Sequence, residues 1–174
     1  GMTIEVRAET FRLAEAFTIS RGSRTEAKVL TVSVTRGGVT GWGECVPYAR
    51  YGETLDSVAA QIEALSPDVS RAGLQGLLPA GAARNAVDCA LWDLEAKRTG
   101  RRVWELAGLA APRPVVTAYT LSLDTPENMC AAAARHAHRP SDITGPHTRR
   151  QSVLDPVGPA DGLVLVGEGL HADH

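Results

Sequence analysis

Apolar and polar positions alternate along the first 46 residues. Over residues 3–11, Ile4, Val6 and Ala8 fall on one side of an extended chain and Glu5, Arg7 and Glu9 on the other. A period of two predicts a half-buried strand. Residues 28–35, carrying Val29, Leu30, Val32 and Val34, predict a second, β-branched strand. Gly37-Gly38 predicts a two-residue hairpin turn into a third strand over residues 39–46. Between the first two strands, Phe17-Thr-Ile-Ser-Arg-Gly-Ser-Arg24 reads as a mobile polar loop. The sum is a three-stranded antiparallel meander.

After residue 54 the period becomes helical. Leu55, Val58, Ala59, Ile62 and Leu65 form one apolar stripe behind Thr54, a predicted N-cap, and Ser66-Pro67 ends it. Residues 70–78 predict a short helix capped by Ser70 and stopped by Pro79. Residues 81–99 predict the longest helix, with Ala83, Ala86, Val87, Ala90, Leu91 and Leu94 as its buried face and Gly100 as its C-terminal stop. The small alanine face predicts close packing on the sheet or on a neighbouring helix. Trp92 lies off that stripe and is expected to meet a second surface. Residues 103–106 add one turn before Gly108.

Pro112-Arg-Pro114 is a linker, followed by a mostly apolar stretch, 115–121, that predicts a buried strand. Thr125-Pro126-Glu127 supplies an N-cap, a proline at the first helical position and an acid in the first turn, predicting a helix to about His136. Strand, loop and capped helix make a first βα unit. Residues 141–174 carry no periodicity except a candidate strand over 162–166.

Composition narrows the class. With 44% apolar and 22% charged residues, the 174-residue chain is that of a globular protein. A net charge of −2 gives no reason to expect nucleic acid or an anionic membrane as partner. No apolar run reaches the ~18 residues that would span a bilayer, and no signal peptide is expected, since the chain goes directly into the first strand pattern. Gly1-Met2 reads as a tag remnant. Cys45, Cys89 and Cys130 lie in apolar contexts, so reduced, buried thiols and a cytoplasmic location are expected.

Candidate chemistry is sparse. All five histidines lie between 136 and 174; His136 and His138 fall on different helix faces, and His171 and His174 sit at the terminus, so no metal site is expected from them. Ser20, Ser23 and Cys45 have no His nearby in sequence to make a nucleophile triad. Gly41-Trp-Gly43 opens no helix and is not a phosphate loop. Two segments stand out. Arg21 and Arg24, near Thr18 and Ser20, could clamp a carboxylate, or form a solvated basic loop. Residues 41–54, with Gly41, Gly43, Pro47, Tyr48, Arg50, Tyr51 and Thr54, suit either ligand contact or a strand-to-helix turn whose aromatics cover the core.

Three strings in this order, Phe17-Thr-Ile-Ser-Arg-Gly-Ser-Arg-Thr-Glu-Ala27, Gly43-Glu-Cys-Val-Pro-Tyr-Ala-Arg-Tyr-Gly-Glu53 and Pro79-Ala-Gly-Ala-Ala-Arg-Asn-Ala-Val-Asp-Cys-Ala-Leu-Trp-Asp-Leu94, resemble the N-terminal part of a dipeptide epimerase of the enolase superfamily, the L-Ala-D/L-Glu epimerases above all. The resemblance covers about residues 3–140. It implies an α+β capping domain over 1–112, the first βα unit of a (β/α) barrel over 113–140, and an atypical tail over 141–174. It further implies that residues 17–25 and 46–54 close over the barrel mouth. Arg24 would then pair with the acidic side chain of the substrate's Glu, and Tyr51 would wall the pocket. The implied chemistry is a 1,1-proton transfer at the Glu α-carbon, with two lysine bases flanking an enolate on a Mg²⁺ held by three carboxylates.

The sequence departs from that pattern after Pro140. The first base belongs in a Lys-x-Lys strand there, where the chain reads Ser-Asp-Ile-Thr-Gly-Pro, and no lysine follows Lys97. Leu163-Val-Leu-Val-Gly-Glu-Gly169 has a similar outline to the family's next strand, with Val166 or Gly167 where a metal-binding Asp belongs. A complete barrel takes about 250 residues. The expectation is therefore an N-terminal portion of an isomerase, inactive and without Mg²⁺ as this chain, with a reading-frame change or gene truncation near residue 141. The alternatives are a non-enzymatic, self-associating cap fragment, expected as a homo-oligomer, and a fragment of a muconate cycloisomerase-like or o-succinylbenzoate synthase-like enzyme.

Overall fold

In the computed structural model, residues 1–20, 22–113 and 120–137 are described. They fall in two units: Gly1–Phe11 with Ala27–Ala111, and Arg12–Glu26 with the chain from Pro112 onward. Residues 115–119 of the expected barrel strand, the 141–174 tail and Arg21 lie outside the described residues.

The meander is present as β1 (Met2–Ile19), β2 (Gly22–Arg36) and β3 (Val39–Cys45), ordered β1-β2-β3. β2 and β3 pair antiparallel from Leu30↔Cys45 to Arg36↔Val39. Gly37 and Gly38 link them with φ of 59° and 79°. Only glycine takes two successive positive φ values at no steric cost, and this turn matches the strand twist. Leu30, Val32 and Val34 project from one face of β2 and are almost wholly buried.

Four helices follow in the first unit: α1 (Leu55–Glu63), α2 (Arg71–Leu77), α3 (Ala82–Thr99) and α4 (Val103–Leu106). Thr54 caps α1 in a reciprocal box with Ser57, and the Ser70 hydroxyl accepts from the Gly73 amide to cap α2. Gly100, left-handed at φ 64°, ends α3. The six apolar positions expected on α3 are its buried residues. They join Leu30, Val32 and Val34 with Val58, Ile62 and Leu74 in one core. Each fully buried Val or Leu contributes roughly 1.5–3 kcal/mol through the apolar area it removes from water. Trp92, off that stripe, has the Arg71 guanidinium 3.6 Å over its ring, and Arg71 also donates to Glu95.

α3 lies directly on β3, and two glycines make the approach possible. A Cβ on Gly41 would stand 2.1 Å from the Ala90 carbonyl oxygen, and one on Gly43 would stand 2.0 Å from that of Ala86. Here backbone rests on backbone. β3 is also an edge strand, and α3 covers its open side: the Trp42 amide donates to Asp93 Oδ2 (2.8 Å), while Lys97 Nζ donates to Asp93 (2.6 Å) and to the Thr40 carbonyl (3.0 Å). Unpaired edge groups are thereby satisfied within the chain.

The polar loop expected over 17–24 is a correction. β1 runs to Ile19 and β2 begins at Gly22, so the segment is the distal end of a long hairpin. Phe11, Leu13, Phe17 and Ile19 keep the two-residue period; Glu15 interrupts it and hides the signal. Gly22, with φ 145°, serves the reversal. The third strand also ends at Cys45, one residue early, with Val46 half exposed.

In the second unit the Thr18 amide donates to Ser122 Oγ (2.8 Å) and its carbonyl accepts from the Leu123 amide (2.8 Å). Helix α5 (Pro126–Ala137) follows, with Thr125 Oγ1 accepting from the Asn128 amide. It is the helix expected there; of the strand before it only Thr120 and Leu121 are described, Leu121 buried and in a single bridge.

Candidate functional site

The segment leaving β3 is shaped by its backbone before its side chains. Pro47 has no amide to continue a ladder. Residues Ala49–Tyr51 form one 3₁₀ turn, closed by the Tyr51 amide on the Tyr48 carbonyl (3.0 Å) and the Gly52 amide on that of Ala49 (2.9 Å). Gly52 is left-handed at φ 73°, a conformation a β-carbon resists. The turn brings the Tyr48 and Tyr51 rings to 5.2 Å between centroids at a 58° tilt, a favourable edge-on arrangement. Tyr51 remains 77% exposed. Core cover is therefore not its role.

Glu53 holds this turn from below. Its Oε1 accepts from the Tyr48 amide (3.2 Å) and its Oε2 from the Ala82 amide (2.8 Å), the latter at the start of α3. α3 has glycine at its N-cap and no capping side chain of its own. A depression of about 410 Å³ lies alongside, bordered by Glu44, Cys45, Tyr48, Tyr51 and Asn85.

Cys45 is buried at its floor, and burial first, then the charges of Glu53 and Glu44, push its thiol up to about 11. It stays protonated near neutral pH, which disfavours it as a nucleophile. The other two cysteines correct the expectation of three buried thiols: Cys89 and Cys130 are exposed. Cys89 stands on the arc of α3 opposite its alanine face.

Arg24 lies on β2 in the second unit, exposed, with no hydrogen bond or ion pair to another described residue. Beside it the Thr18 hydroxyl donates to Ser23 Oγ (2.9 Å). Arg24 and Tyr51 belong to different units. Sequence reasoning missed Glu53, whose partner Ala82 is 29 residues away. The available signal was Gly81, a helix start with no side chain to cap it.

Among the described residues no group of three His, Cys, Asp or Glu side chains could hold a metal ion. The described residues therefore do not fit a Mg²⁺ centre. No described helix is long and apolar enough to cross a membrane.

A three-stranded antiparallel meander packed on helices, with the strand-to-helix turn at its end, is the α+β capping domain of the enolase superfamily. Within that class, the chain belongs to the mandelate racemase / muconate lactonizing enzyme N-terminal domain family, which matches residues 2–108. Among its relatives is an L-Ala-D/L-Glu epimerase of Escherichia coli K12, 46% identical over 136 residues, which are 76% of this chain and 42% of that protein. A crystal structure of an Agrobacterium tumefaciens enolase family member with homology to dipeptide epimerases, with bound sodium and L-Ala-L-Glu, superposes with a TM-score of 0.73 at 49% identity. That match covers 80% of this chain and 44% of the other. A Methylococcus capsulatus dipeptide epimerase complexed with Mg and L-Arg-D-Lys gives 0.69 at 30% identity, over 77% and 42% of the two chains. The chain thus spans less than half the length of these relatives.

Proposed function

We propose that this chain is the N-terminal capping portion of a Mg²⁺-dependent dipeptide epimerase acting on L-Ala-Glu-type dipeptides. The observation that carries the reading is the 46% identity to an L-Ala-D/L-Glu epimerase over 136 residues. The epimerase exchanges the proton at the Glu α-carbon. In this reading Arg24 pairs with the acidic side chain and Tyr51 walls the pocket. What supports them is chemical: Arg24 has a guanidinium uncommitted to any described residue, and Tyr51 presents an exposed ring on a braced turn. A planar guanidinium matches a carboxylate with two parallel donors.

The chain in hand is proposed to lack turnover by itself. Its lysines are Lys28 and Lys97, and Lys97 is engaged by Asp93 and the Thr40 carbonyl. The test has two arms. With L-Ala-L-Glu and Mg²⁺ in D₂O, the Glu α-proton signal is expected to persist at the background rate; exchange abolished by a chelator overturns the claim of inactivity. By NMR titration at millimolar dipeptide, Arg24 and Tyr51 signals are expected to move with L-Ala-L-Glu and less with L-Ala-L-Ala. Equal responses to both would remove Arg24 as the acid-recognising residue.

A further inference from the structure

We infer that Glu53 is the positioning residue of the aromatic turn, tying Tyr48 and Tyr51 to the rigid start of α3. The inference rests on the reading of residues 46–54 as a substrate-facing segment, and it adds the part that fixes the segment's shape.

The carboxylate has two oxygens and two tasks. Oε2 caps α3 through the Ala82 amide, the position where Gly81 offers nothing. A carboxylate there satisfies an orphan donor and complements the positive end of the helix dipole. Oε1 takes the amide of Tyr48, the residue that caps the 3₁₀ turn. The Glu53 amide in turn donates to the Tyr48 carbonyl at 3.3 Å, so residues 48 and 53 are tied twice. The site is also shaped around the carboxylate: a Cβ on Gly81 would come 3.1 Å from Oε2. The absent N-cap side chain and the imported carboxylate are two halves of one device. Without it, the turn keeps its internal hydrogen bonds but loses its anchor to the core, because α3 is the element seated on β3.

A cap and a tether can be separated by mutation. Glu53→Ala removes both. Gly81 has an extended backbone (φ 161°, ψ −174°) that any residue adopts, so Gly81→Ser in the Glu53→Ala background restores a capping hydroxyl to α3 without restoring the Tyr48 bond. The measurements are thermal unfolding, amide exchange at Tyr48, and the Tyr48–Tyr51 ring NOE on the 174-residue chain without ligand. Glu53→Ala is expected to lower the melting temperature, speed Tyr48 amide exchange by about tenfold or more, as loss of a hydrogen bond to a charged group does, and weaken the NOE. The double variant is expected to regain the melting temperature while exchange stays fast and the NOE weak. If exchange and NOE recover together with stability, or if Glu53→Ala leaves both unchanged, Glu53 is only a helix cap and the inference fails. No ligand enters the experiment, so its outcome is independent of the dipeptide titration.

Discussion

At the scale of single residues, the decisive contacts are those with no room to spare. Gly43 stands where any β-carbon would overlap the Ala86 carbonyl. Gly43→Ala is expected to destabilise the fold by about 3 kcal/mol or more, since neither backbone can yield without breaking strand or helix; chemical denaturation measures it. Gly76→Ala, where nothing lies within 4 Å, serves as the tolerant control on the neighbouring helix α2. The cysteines make a second test at this scale. Cys89 and Cys130 are expected to alkylate promptly with iodoacetamide at pH 8, while Cys45, buried and with its pKa pushed to about 11, reacts only on unfolding. Mass spectrometry of timed samples distinguishes the three. A fast Cys45 would mean that the floor of the depression opens.

Elements were legible in the sequence to the degree that their signals were local. The stripe on α3 was recovered residue for residue because six apolar positions at helical spacing leave no other reading. The Gly37-Gly38 turn was legible for the same reason: two adjacent glycines between alternating strands need nothing distant. The distal hairpin was hidden because Glu15 broke the alternation and Ser20, Gly22 and Ser23 have the composition of a loop. Least legible were contacts between elements, the Glu53–Ala82 bridge and the Asp93 clamp on β3. The clamp carries a pH dependence. Burial pushes the Asp93 carboxyl up, but hydrogen bonds from Lys97 and the Trp42 amide, with the Lys97 charge, leave it lowered from 3.8. A folded pKa below the unfolded one stabilises fully above the unfolded value and is lost as pH falls through the folded one. The contribution is therefore full at neutral pH and starts to be lost only below about pH 3.8. Asp93→Asn is expected to cost about 1 kcal/mol at pH 7, discounted for a pair that is a third or more exposed. The difference from the parent should shrink progressively as the pH is taken below 3.8 in urea titrations. A constant difference across that range would assign the cost to packing alone.

Across the whole molecule, every member of the main core cluster lies between Leu30 and Leu94, inside the unit formed by Gly1–Phe11 and Ala27–Ala111. We propose on that basis that the cap is autonomous and that its boundary falls at about residue 112. A chain ending at Ala111 is expected to keep a single cooperative thermal transition, with Tm within about 4 °C of the parent, equivalent to roughly 1 kcal/mol. Loss of the transition would show that the cap depends on the residues beyond Ala111. The family was legible at this scale through three motifs in order. Arg24 and Tyr51 were singled out through the resemblance alone; they belong to separate units, and the roles proposed for them concern a ligand rather than the fold.

The seating of α3 on β3 has a consequence for how this protein can vary. Where backbone rests on backbone, hardly any side chain stands at the contact, so drift has little there to adjust. From Gly41 to Cys45 nearly every inward change meets a wall. One residue later the chain emerges at Val46, and through Tyr51 its side chains reach outward or face only the depression. A rail with no room for larger side chains thus ends abruptly in an exposed segment. Substitutions at exposed positions such as Val46 and Arg50 are therefore expected to leave the seating of α3 on β3, and so the point where the segment departs, unchanged.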